Sequence, residues 1–311
     1  MTADASTAPD ISIVVPVYDE RGALPELIEE IDAALAPLGR RSELIFIDDG
    51  STDGSGEYLL ERAAERDDMI VIDLGRNAGK SAALAAGFER SRGEVVVTLD
   101  GDGQDDPAEI PVLLARLDEG YDLVSGWKQV RRDPARRRLA SRVFNRITAM
   151  ISGVGLHDFN NGLKAYRGDR VRTLEVYGEM HRFIPVLGVQ QGWKVTEVPV
   201  NHRPRVHGRT KFGLERYARG MLDLLAVVFM GRYGNRPLHL FGGIGICFFV
   251  VGLVIGVYLV IEKLAGNAIG ERPLLLLSVL LIVVGIQLFT FGLLAQMVVA
   301  MRNERLPRDR R

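Results

Sequence analysis

The sequence predicts an α/β fold in which a mostly parallel sheet is covered by helices and is followed by two membrane-spanning helices. Two observations lead to this prediction. Short runs rich in Val and Ile alternate with amphipathic stretches, and two long apolar runs without a charged side chain lie near the C-terminal end. The formal net charge of -1, from 39 Lys and Arg against 40 Asp and Glu, indicates no nucleic-acid partner. The single cysteine, Cys247, excludes a disulfide framework and a zinc site made of cysteines.

The alternating part of the chain predicts where a binding site forms. Strands are predicted at residues 11–17, 44–48, 70–74, 95–100, 123–125 and 195–198. Helices are predicted at residues 24–38, 55–66, 81–91 and 107–117, with a basic helix at 131–152. In open parallel sheets, ligands bind beyond the carboxyl ends of the strands. This rule points to four polar clusters that directly follow strands: PVYDE, DDGSTD, GRNAGK and DGDGQ.

The two apolar runs, residues 238–261 and 274–301, predict a membrane hairpin. At about 1.5 Å per residue, each can cross a hydrocarbon core of about 30 Å, and neither has the polar face of a helix in a soluble protein. Arginines stand at positions 232 and 236 before the hairpin, and five more lie in residues 302–311 after it. The positive-inside rule therefore predicts an inner-membrane protein with its soluble domain and both termini in the cytoplasm. A Gly-x-x-x-Gly pair, Gly252 and Gly256, favours a homo-oligomer.

These patterns divide the chain into five segments. Residues 1–10 lack the charged start and apolar core of a signal peptide and are predicted to be a disordered lead. The soluble domain is predicted at residues 11–211, and amphipathic helices along the bilayer surface at 212–236. The two membrane helices occupy residues 237–302, and a basic tail occupies residues 303–311.

The stretch GRNAGKS, Gly75 to Ser81, lies between a predicted strand and a predicted helix, as a phosphate-binding loop does. A Walker A loop has four residues between its first glycine and Gly-Lys, whereas this stretch has only Arg76, Asn77 and Ala78. The missing residue removes part of the backbone N–H cradle, so an NTPase is disfavoured. Lys80 at the helix start can still attract a diphosphate, and the alternative is a solvated lysine without a ligand.

The stretch LDGDGQDDP predicts a metal site. Asp100 ends a predicted strand, and Asp102 and Gln104 follow at intervals of two residues. Oxygen ligands at alternating positions of a turn can converge on a hard cation such as Mg²⁺ or Mn²⁺ and leave positions open for a substrate diphosphate. The alternative is an acidic surface turn before a helix, and this is the interpretation for Asp105 and Asp106.

Two further clusters suit the two ends of a substrate site. Asp48 and Asp49 follow the second strand and can accept hydrogen bonds from a base or a ribose, while residues 51–53 can cap the next helix. The stretch RPRVHGRTK combines cations with small turn residues, which favours a folded pocket for a phosphate on a lipid. Attraction to anionic lipid headgroups is the alternative. The cations of this region are Arg203, Arg205, His207, Arg209 and Lys211.

Together, these motifs resemble those of the membrane-anchored glycosyltransferase family 2 enzymes that load a sugar onto a polyprenyl phosphate. The motifs are VVPVYDE, DDGSTDGS, DGDGQDDP, DFNNGLKAYR, MHRFIP and RPRVHGRTK, followed by the two apolar runs. The resemblance is to dolichyl-phosphate mannose synthases and bacterial polyprenyl-phosphate glucosyltransferases. It implies a GT-A catalytic domain at residues 11–211, a metal-dependent inverting mechanism and an active site at the cytoplasmic face. The two-span architecture resembles the glucosyltransferases, which favours UDP-glucose as the donor over GDP-mannose.

With the clusters above, the resemblance implies roles for individual residues. Residues expected to bind the nucleotide sugar are Pro16, Tyr18, Glu20, Asp48, Asp49, Lys80, Asp100 and Gly101. Expected metal ligands are Asp100, Asp102 and Gln104, and expected catalytic residues are Asp102, Asp158 and Lys164. Residues expected to bind the acceptor phosphate are Arg138, Asn161, Arg182, Arg203, Arg205, His207 and Lys211. Arg131, Arg132 and Arg137 are alternatives to Arg138 for this contact.

Two other functions remain open from the sequence. A processive polysaccharide synthase would share the first half of the chain, but it would typically have more spans and a QxxRW-type motif. A membrane scaffold without catalysis would keep the hairpin but would have no need for DGDGQ.

Overall fold

The computed structural model describes residues 8–129, 135–201, 203, 222–227, 229, 231, 233, 234, 236–266 and 273–305. For residues 135–140 and 302–305 only the course of the backbone is described. The chain forms two compact units, of which one ends at Val227 and the other comprises the residues after it. Most of the predicted lead, the amphipathic region and the last residues of the basic tail lie outside the described residues.

The first unit is built on a seven-stranded sheet with the order β3-β2-β1-β4-β6-β5-β7. Its strands are β1 (Ile11–Val17), β2 (Ser42–Asp48), β3 (Met69–Asp73), β4 (Val95–Thr98), β5 (Leu123–Lys128), β6 (Lys164–Arg167) and β7 (Val195–Val200). The pairs are parallel except those that β6 forms with β4 and β5. The predicted mostly parallel sheet is therefore confirmed. The run KAYR was not predicted as a strand, yet it forms β6, the one antiparallel strand of this sheet.

Helices cover the sheet between the strands. They are α1 (Leu24–Leu35), α2 (Ser55–Ala64), α3 (Lys80–Arg90), α4 (Ile110–Asp118), α5 (Ala135–Ser152), α6 (Gly168–Val171) and α7 (Ile184–Gln190). Short 3-10 turns stand at Ala36–Leu38, Pro107–Glu109 and Met180–Phe183. The predicted helix at 24–38 tightens into a 3-10 turn after Leu35, because Pro37 has no N–H to continue the α-helical pattern.

The core lies on both faces of the central strands. Ile13 and Val15 of β1 are fully buried in one cluster with the apolar faces of α1 and α4. Val14 points the other way, toward α3, because successive side chains of a strand alternate between faces. Gly87 of α3 lies against Val14 and Ile47, where a Cβ atom would collide with both side chains. The absence of a side chain at Gly87 therefore lets α3 lie close to the sheet and brings its first residue to the sheet edge.

The second unit contains two long apolar helices, α8 (Pro237–Leu264) and α9 (Pro273–Arg305). By length and composition, α8 and the part of α9 up to Met301 could each cross a membrane. The two predicted helices are therefore confirmed, each starting one residue earlier and ending a few residues later than predicted.

Small residues bring α8 and α9 together. A Cβ atom at Gly285 of α9 would lie 2.6 Å from the main-chain nitrogen of Phe249 and 2.7 Å from the carbonyl oxygen of Gly245. Ser278 Oγ donates a 2.8 Å hydrogen bond to the carbonyl oxygen of Gly252. The glycine pair that favoured a homo-oligomer therefore packs inside one hairpin and lends the homo-oligomer no support, so that state remains a prediction.

We expect Gly285→Ala to force α8 and α9 apart, because the added methyl group would meet backbone atoms, which cannot rotate away. Such overpacking costs about 1–3 kcal/mol and should lower the thermal midpoint of the detergent-solubilised protein by a few degrees. The matched control is Gly243→Ala, since a Cβ atom there would meet nothing within 4 Å. Equal midpoints for the two variants would contradict the close helix contact.

Candidate active site

Loops after the parallel strands meet at one edge of the sheet. The antiparallel strand β6 begins at this same edge, because its first residue, Lys164, pairs with Thr98 at the end of β4. The loop before β6, residues 158–162, therefore lies beside the loop after β4. The acidic residues of the loop after β4 therefore lie close to Lys164 and to the asparagines that precede it.

Asp100 is at the centre of this edge. Its carboxylate forms an ion pair with Nζ of Lys80, the first residue of α3. The main-chain nitrogen of Asp100 donates a 3.2 Å hydrogen bond to Asp105, whose other carboxylate oxygen lies 2.7 Å from Nζ of Lys128. Gly162 faces Asp100, and any side chain there would overlap with the Asp100 carboxylate. The position of the Asp100 side chain therefore depends on the start of α3, the loop after β4 and the loop before β6.

The surrounding lysines keep Asp100 ionised. Burial acts to raise the pKa of Asp100, but the charges of Lys80, Lys128 and Lys164 outweigh burial and hold this pKa below its usual value. Burial also acts to lower the pKa of Lys128, yet its ion pair with Asp105 raises this pKa above the ordinary lysine value. Lys128 therefore remains an ammonium group.

Among these lysines, Lys164 is the one whose charged form is disfavoured. It is only 4% exposed, and its ammonium donates to the main-chain carbonyl of Asn161. Burial first, and repulsion from Lys80 second, lower the pKa of Lys164 to about 8, although Asp158 and Asp100 act in the opposite direction. An anion near Lys164 would stabilise its charged form.

Next to Asp100 is a small pocket rich in hydrogen-bond donors. Its polar lining includes Lys80, Asp100, Asn161, Lys164, His181 and Arg182. Arg182 is 4% exposed and forms a 3.0 Å ion pair with Glu179. The Nε of Arg182 and the Nδ2 of Asn161 are buried without a hydrogen-bond partner in the described part of the chain. Because an unsatisfied buried donor costs about 1–3 kcal/mol, these groups suit an anionic ligand.

The loop GRNAGK is held by a protein carboxylate. Asp49 accepts hydrogen bonds from the main-chain nitrogens of Ala78 (2.6 Å) and Gly79 (3.0 Å). Burial raises the pKa of Asp49 even though these N–H donors act to lower it. Asp48 is also buried and accepts a 3.0 Å hydrogen bond from the nitrogen of Ser51. Both carboxylates thus bond to the protein backbone, and their predicted contacts with a nucleotide remain predictions.

The loops after β1 and β2 are bonded to each other. The nitrogen of Asp19 donates to Ser51 Oγ at 2.9 Å, and the nitrogen of Glu20 donates to Ser55 Oγ at 3.1 Å. Asp19 has a φ of 52°, which a non-glycine residue rarely adopts. These bonds define the loop that carries the predicted nucleotide residues Tyr18 and Glu20. Pro16 lies at the end of β1, where its carbonyl would be 3.1 Å from a Cβ atom at Gly101.

The predicted metal ligands lie in one turn after β4. Asp102 accepts a 3.1 Å hydrogen bond from the nitrogen of Gln104. Within the described residues, no three His, Cys, Asp or Glu side chains cluster closely enough to hold a metal ion by themselves. The oxygen donors of Asp100, Asp102 and Gln104 have the chemistry that Mg²⁺ and Mn²⁺ prefer. The ammonium of Lys80 on Asp100 also shows that this position stabilises a cation, so the residues fit a divalent ion.

The predicted phosphate-binding residues fall into three groups. Asn161 and Arg182 line the pocket beside Asp100. Arg203 instead places its guanidinium between two carboxylates, Glu30 at 2.5 Å and Asp106 at 2.8 Å. The others, Arg205, His207, Lys211 and the side chain of Arg138, lie outside the described residues.

The structure corrects two interpretations and adds residues that were not predicted to belong to the site. Asp105 does not belong to a surface turn, because it is 1% exposed and paired with Lys128. Lys80 is not a solvated lysine without a partner, because it is bound to Asp100. Lys128 was missed although it ends a strand at the active edge. His181 was also missed; its Nδ1 lies 2.9 Å from Ser81 Oγ, which ties the start of α3 to the turn carrying Arg182.

Comparisons with known proteins identify the family of the chain. Residues 12–183 match the profile of a family described as Glycosyl transferase family 2. The chain is 38% identical over 306 residues to "Dodecaprenyl-phosphate galacturonate synthase" from Rhizobium johnstonii, covering 96% of this chain and 90% of that protein. It is also 38% identical over 304 residues to "Undecaprenyl-phosphate 4-deoxy-4-formamido-L-arabinose transferase" from Pseudomonas aeruginosa, covering 96% and 88%.

Solved structures share the fold at lower identity. Mannosyl-3-phosphoglycerate synthase from Rubrobacter xylanophilus matches with a TM-score of 0.57 and 15% identity, over 71% of this chain and 74% of that one. Glucosyl-3-phosphoglycerate synthase from Mycobacterium tuberculosis matches with a TM-score of 0.53 and 22% identity, over 73% and 81%. The GT-A-like α/β fold implied by the resemblance is therefore confirmed.

The burial of Lys164 predicts a dependence of stability on pH. The folded pKa of about 8 lies below the value of 10.5 for a free lysine, so the unfolded chain binds more protons between these two values. Stability should therefore rise as the pH increases from 8 toward 10.5, by on the order of 3 kcal/mol in total. Thermal unfolding of the wild type and Lys164→Met at pH 7 to 10 would measure the difference. Lys194→Met, at an exposed lysine, is the control. A difference in stability between the wild type and Lys164→Met that stays constant with pH would contradict the prediction.

The buried pair of Lys128 and Asp105 predicts a large loss of stability on truncation. Lys128→Met would leave the carboxylate of Asp105 buried and unpaired, which costs about 3–5 kcal/mol. Arg62→Met is the control, because it breaks an exposed ion pair with Glu65 that is worth at most about 1 kcal/mol. Urea unfolding would compare the two, and similar losses would show that Lys128 is not needed to neutralise Asp105.

Proposed function

The chain belongs to glycosyl transferase family 2, and on that premise we propose that it transfers a sugar from a nucleoside-diphosphate sugar to a polyprenyl phosphate at a membrane. The observation that supports this function best is the ionised Asp100 beside a pocket whose donors, Lys164, Arg182 and Asn161, suit an anion. Such a site can bring together two anionic substrates, which would otherwise repel each other.

The names of the relatives support the acceptor class. Both name a polyprenyl phosphate, dodecaprenyl in one and undecaprenyl in the other. The helices α8 and α9 suit a protein that meets such a lipid in a membrane. Within this proposal, residues 11–211 form the catalytic domain, residues 237–302 the membrane anchor, and the arginine bias places the soluble domain and both termini in the cytoplasm.

The identity of the transferred sugar is a separate part of the proposal. The two-span architecture favours UDP-glucose, followed by GDP-mannose, whereas the relatives' names carry galacturonate and 4-deoxy-4-formamido-L-arabinose. Because one relative is named for galacturonate, a nucleotide-linked galacturonate is a third donor to test.

The residues of the chain have separate tasks in this reaction. We assign Lys80 to the donor diphosphate and Lys164, Asn161 and Arg182 to the acceptor phosphate. Asp100, Asp102 and Gln104 would hold Mg²⁺ or Mn²⁺, which, when bound, would neutralise charge on the diphosphate.

The chemistry needs little proton transfer. A phosphate monoester has a second pKa of about 6, so the acceptor oxygen is already anionic near neutral pH. That oxygen attacks the anomeric carbon, the bond to the diphosphate breaks, and the nucleoside diphosphate leaves with the electron pair. Asp158 is buried close enough to Lys164 to act on its charge, and its task is to position and balance charge. In-line attack would invert the anomeric centre.

The test is sugar transfer by the purified full-length protein in nanodiscs. Wild type would be incubated with undecaprenyl phosphate, Mn²⁺ and radiolabelled UDP-glucose, GDP-mannose or UDP-galacturonate, and labelled lipid would be extracted. We expect one donor to label the lipid and Asp102→Asn to reduce the rate at least about 100-fold, because the charge near the diphosphate is lost. NMR of the product should show an inverted anomeric configuration.

The matched control is Asp118→Asn, which removes a carboxylate that is 47% accessible and lies beside Arg167, at the end of β6 opposite the active edge. Absence of labelled lipid with every donor would favour a membrane scaffold, and full turnover by Asp102→Asn would place the reaction at a different site. Chains of several sugars on the lipid would favour a processive synthase, and retention at the anomeric centre would exclude direct in-line attack.

A further inference from the structure

Arg203 connects the segment after β7 to the turn of the predicted metal ligands. We call residues 100–106, which follow β4, the carboxylate loop. The main-chain nitrogen of Arg203 donates a 3.1 Å hydrogen bond to the carbonyl oxygen of Gln104. Two residues earlier, the nitrogen of Asn201 donates a 3.1 Å hydrogen bond to Glu109. The backbone after β7 therefore runs directly along the carboxylate loop and the turn that follows it.

The Arg203 side chain adds two ion pairs to this contact. One guanidinium nitrogen lies 2.5 Å from Glu30 of α1, and the other lies 2.8 Å from Asp106. The hydrogen bond to Glu30, followed by the charges of Asp106 and Glu30, raises the pKa of Arg203 although burial acts against it. The planar fork of an arginine suits two fixed acceptors better than a lysine would.

The charges around Arg203 do not favour a phosphate. One guanidinium and two carboxylates leave the Arg203 cluster, defined as Arg203, Glu30 and Asp106, with an excess negative charge. A phosphate approaching this cluster would meet repulsion, unlike in the pocket lined by Lys164 and Arg182. The predicted role of Arg203 as a ligand of the acceptor phosphate therefore conflicts with its surroundings.

The same contacts restrain the carboxylate loop on both sides of Asp105. Gln104 is held through its carbonyl and Asp106 through its carboxylate, while Asp105 is held by Lys128. Asp106 also accepts a 3.1 Å hydrogen bond from the nitrogen of Ala108 and so starts the next 3-10 turn. The C-terminal half of the loop is thus fixed by contacts from β5, α1 and the segment after β7.

We propose that Arg203 is a positioning residue that holds the carboxylate loop in the conformation that binds a divalent ion with the nucleoside diphosphate. This inference rests on the proposed function for the identity of the ligand, but not for the restraint of the loop. The basic sequence from Arg205 to Lys211 begins two residues later. The Arg203 cluster therefore joins the donor side of the site to the start of the chain segment predicted to bind the acceptor.

The test compares Arg203→Gln, Asp106→Asn and their combination in the full-length protein. Asp106→Asn removes the charge but keeps an oxygen that can accept from Ala108. Binding of Mn²⁺ in the presence of UDP would be followed by the EPR signal of free Mn²⁺, which requires no turnover. We expect each single variant to weaken binding on the order of 10-fold and the double variant to weaken it no further than Arg203→Gln, because that variant has already lost the ion pair with Asp106. The KM for undecaprenyl phosphate should stay within about 2-fold of the wild type.

Restraint of the loop has its own readout. Hydrogen–deuterium exchange of peptides covering residues 99–110 should become faster in both single variants. The control is Arg40→Gln, which removes a similarly exposed arginine from its ion pair with Asp118 and should change neither exchange nor binding. Arg203→Lys should recover only part of the binding, because an ammonium lacks the fork.

Three results would overturn the inference. They are unchanged exchange in Arg203→Gln, unchanged Mn²⁺–UDP binding with a raised KM for undecaprenyl phosphate, and strictly additive losses in the double variant. If the wild type binds no Mn²⁺–UDP and transfers no sugar, the proposed function fails. Faster exchange in the two single variants would then still support the restraint of the loop by Arg203.

Discussion

The site depends on the charge of one carboxylate, that of Asp100. Burial alone would favour its neutral form, and the ammonium groups of Lys80, Lys128 and Lys164 keep it ionised. These lysines come from three different elements, the start of α3, the end of β5 and the start of β6. The cost is visible at Lys164, whose pKa falls to about 8 because it is buried near another cation. The ammonium groups that neutralise Asp100 are thus also available to attract an anionic ligand.

The antiparallel strand β6 explains how Lys164 reaches this position. The first residue of a parallel strand lies at the edge of the sheet opposite the active edge, whereas the first residue of an antiparallel strand lies at the active edge itself. Lys164 therefore faces the end of β4, and the preceding loop passes over Asp100. Gly162 is the residue at the closest approach, where a side chain would overlap with the carboxylate. One reversed strand and one glycine together place Asn161 and Lys164 beside a carboxylate from a distant part of the chain.

The sequence was sufficient for features that depend on local periodicity. The alternation of apolar runs identified β1 to β5 and β7, and the spacing in DGDGQ identified the carboxylate loop. It was insufficient where a distant partner decides the outcome. Four residues, KAYR, are too short to show a strand period, so β6 was missed. The burial of Asp105 depends on Lys128, and the position of Arg203 depends on Glu30, more than 170 residues away. Gly252 and Gly256 showed that close helix contact was possible, but not which helix would provide it.

In the stretch GRNAGKS, backbone N–H groups are bound to a carboxylate of the protein, which leaves side chains to attract a phosphate. In a phosphate-binding loop the N–H groups face the ligand, but here those of Ala78 and Gly79 donate to Asp49. Lys80 is a side chain of this stretch suited to an anion, and it is also the counter-ion of Asp100. A diphosphate that attracts Lys80 would draw away the ammonium that is paired directly with Asp100, and the divalent ion is proposed to take its place. The shared lysine therefore links binding of the ion to binding of the donor, since Asp100 and the diphosphate would both attract the ammonium of Lys80.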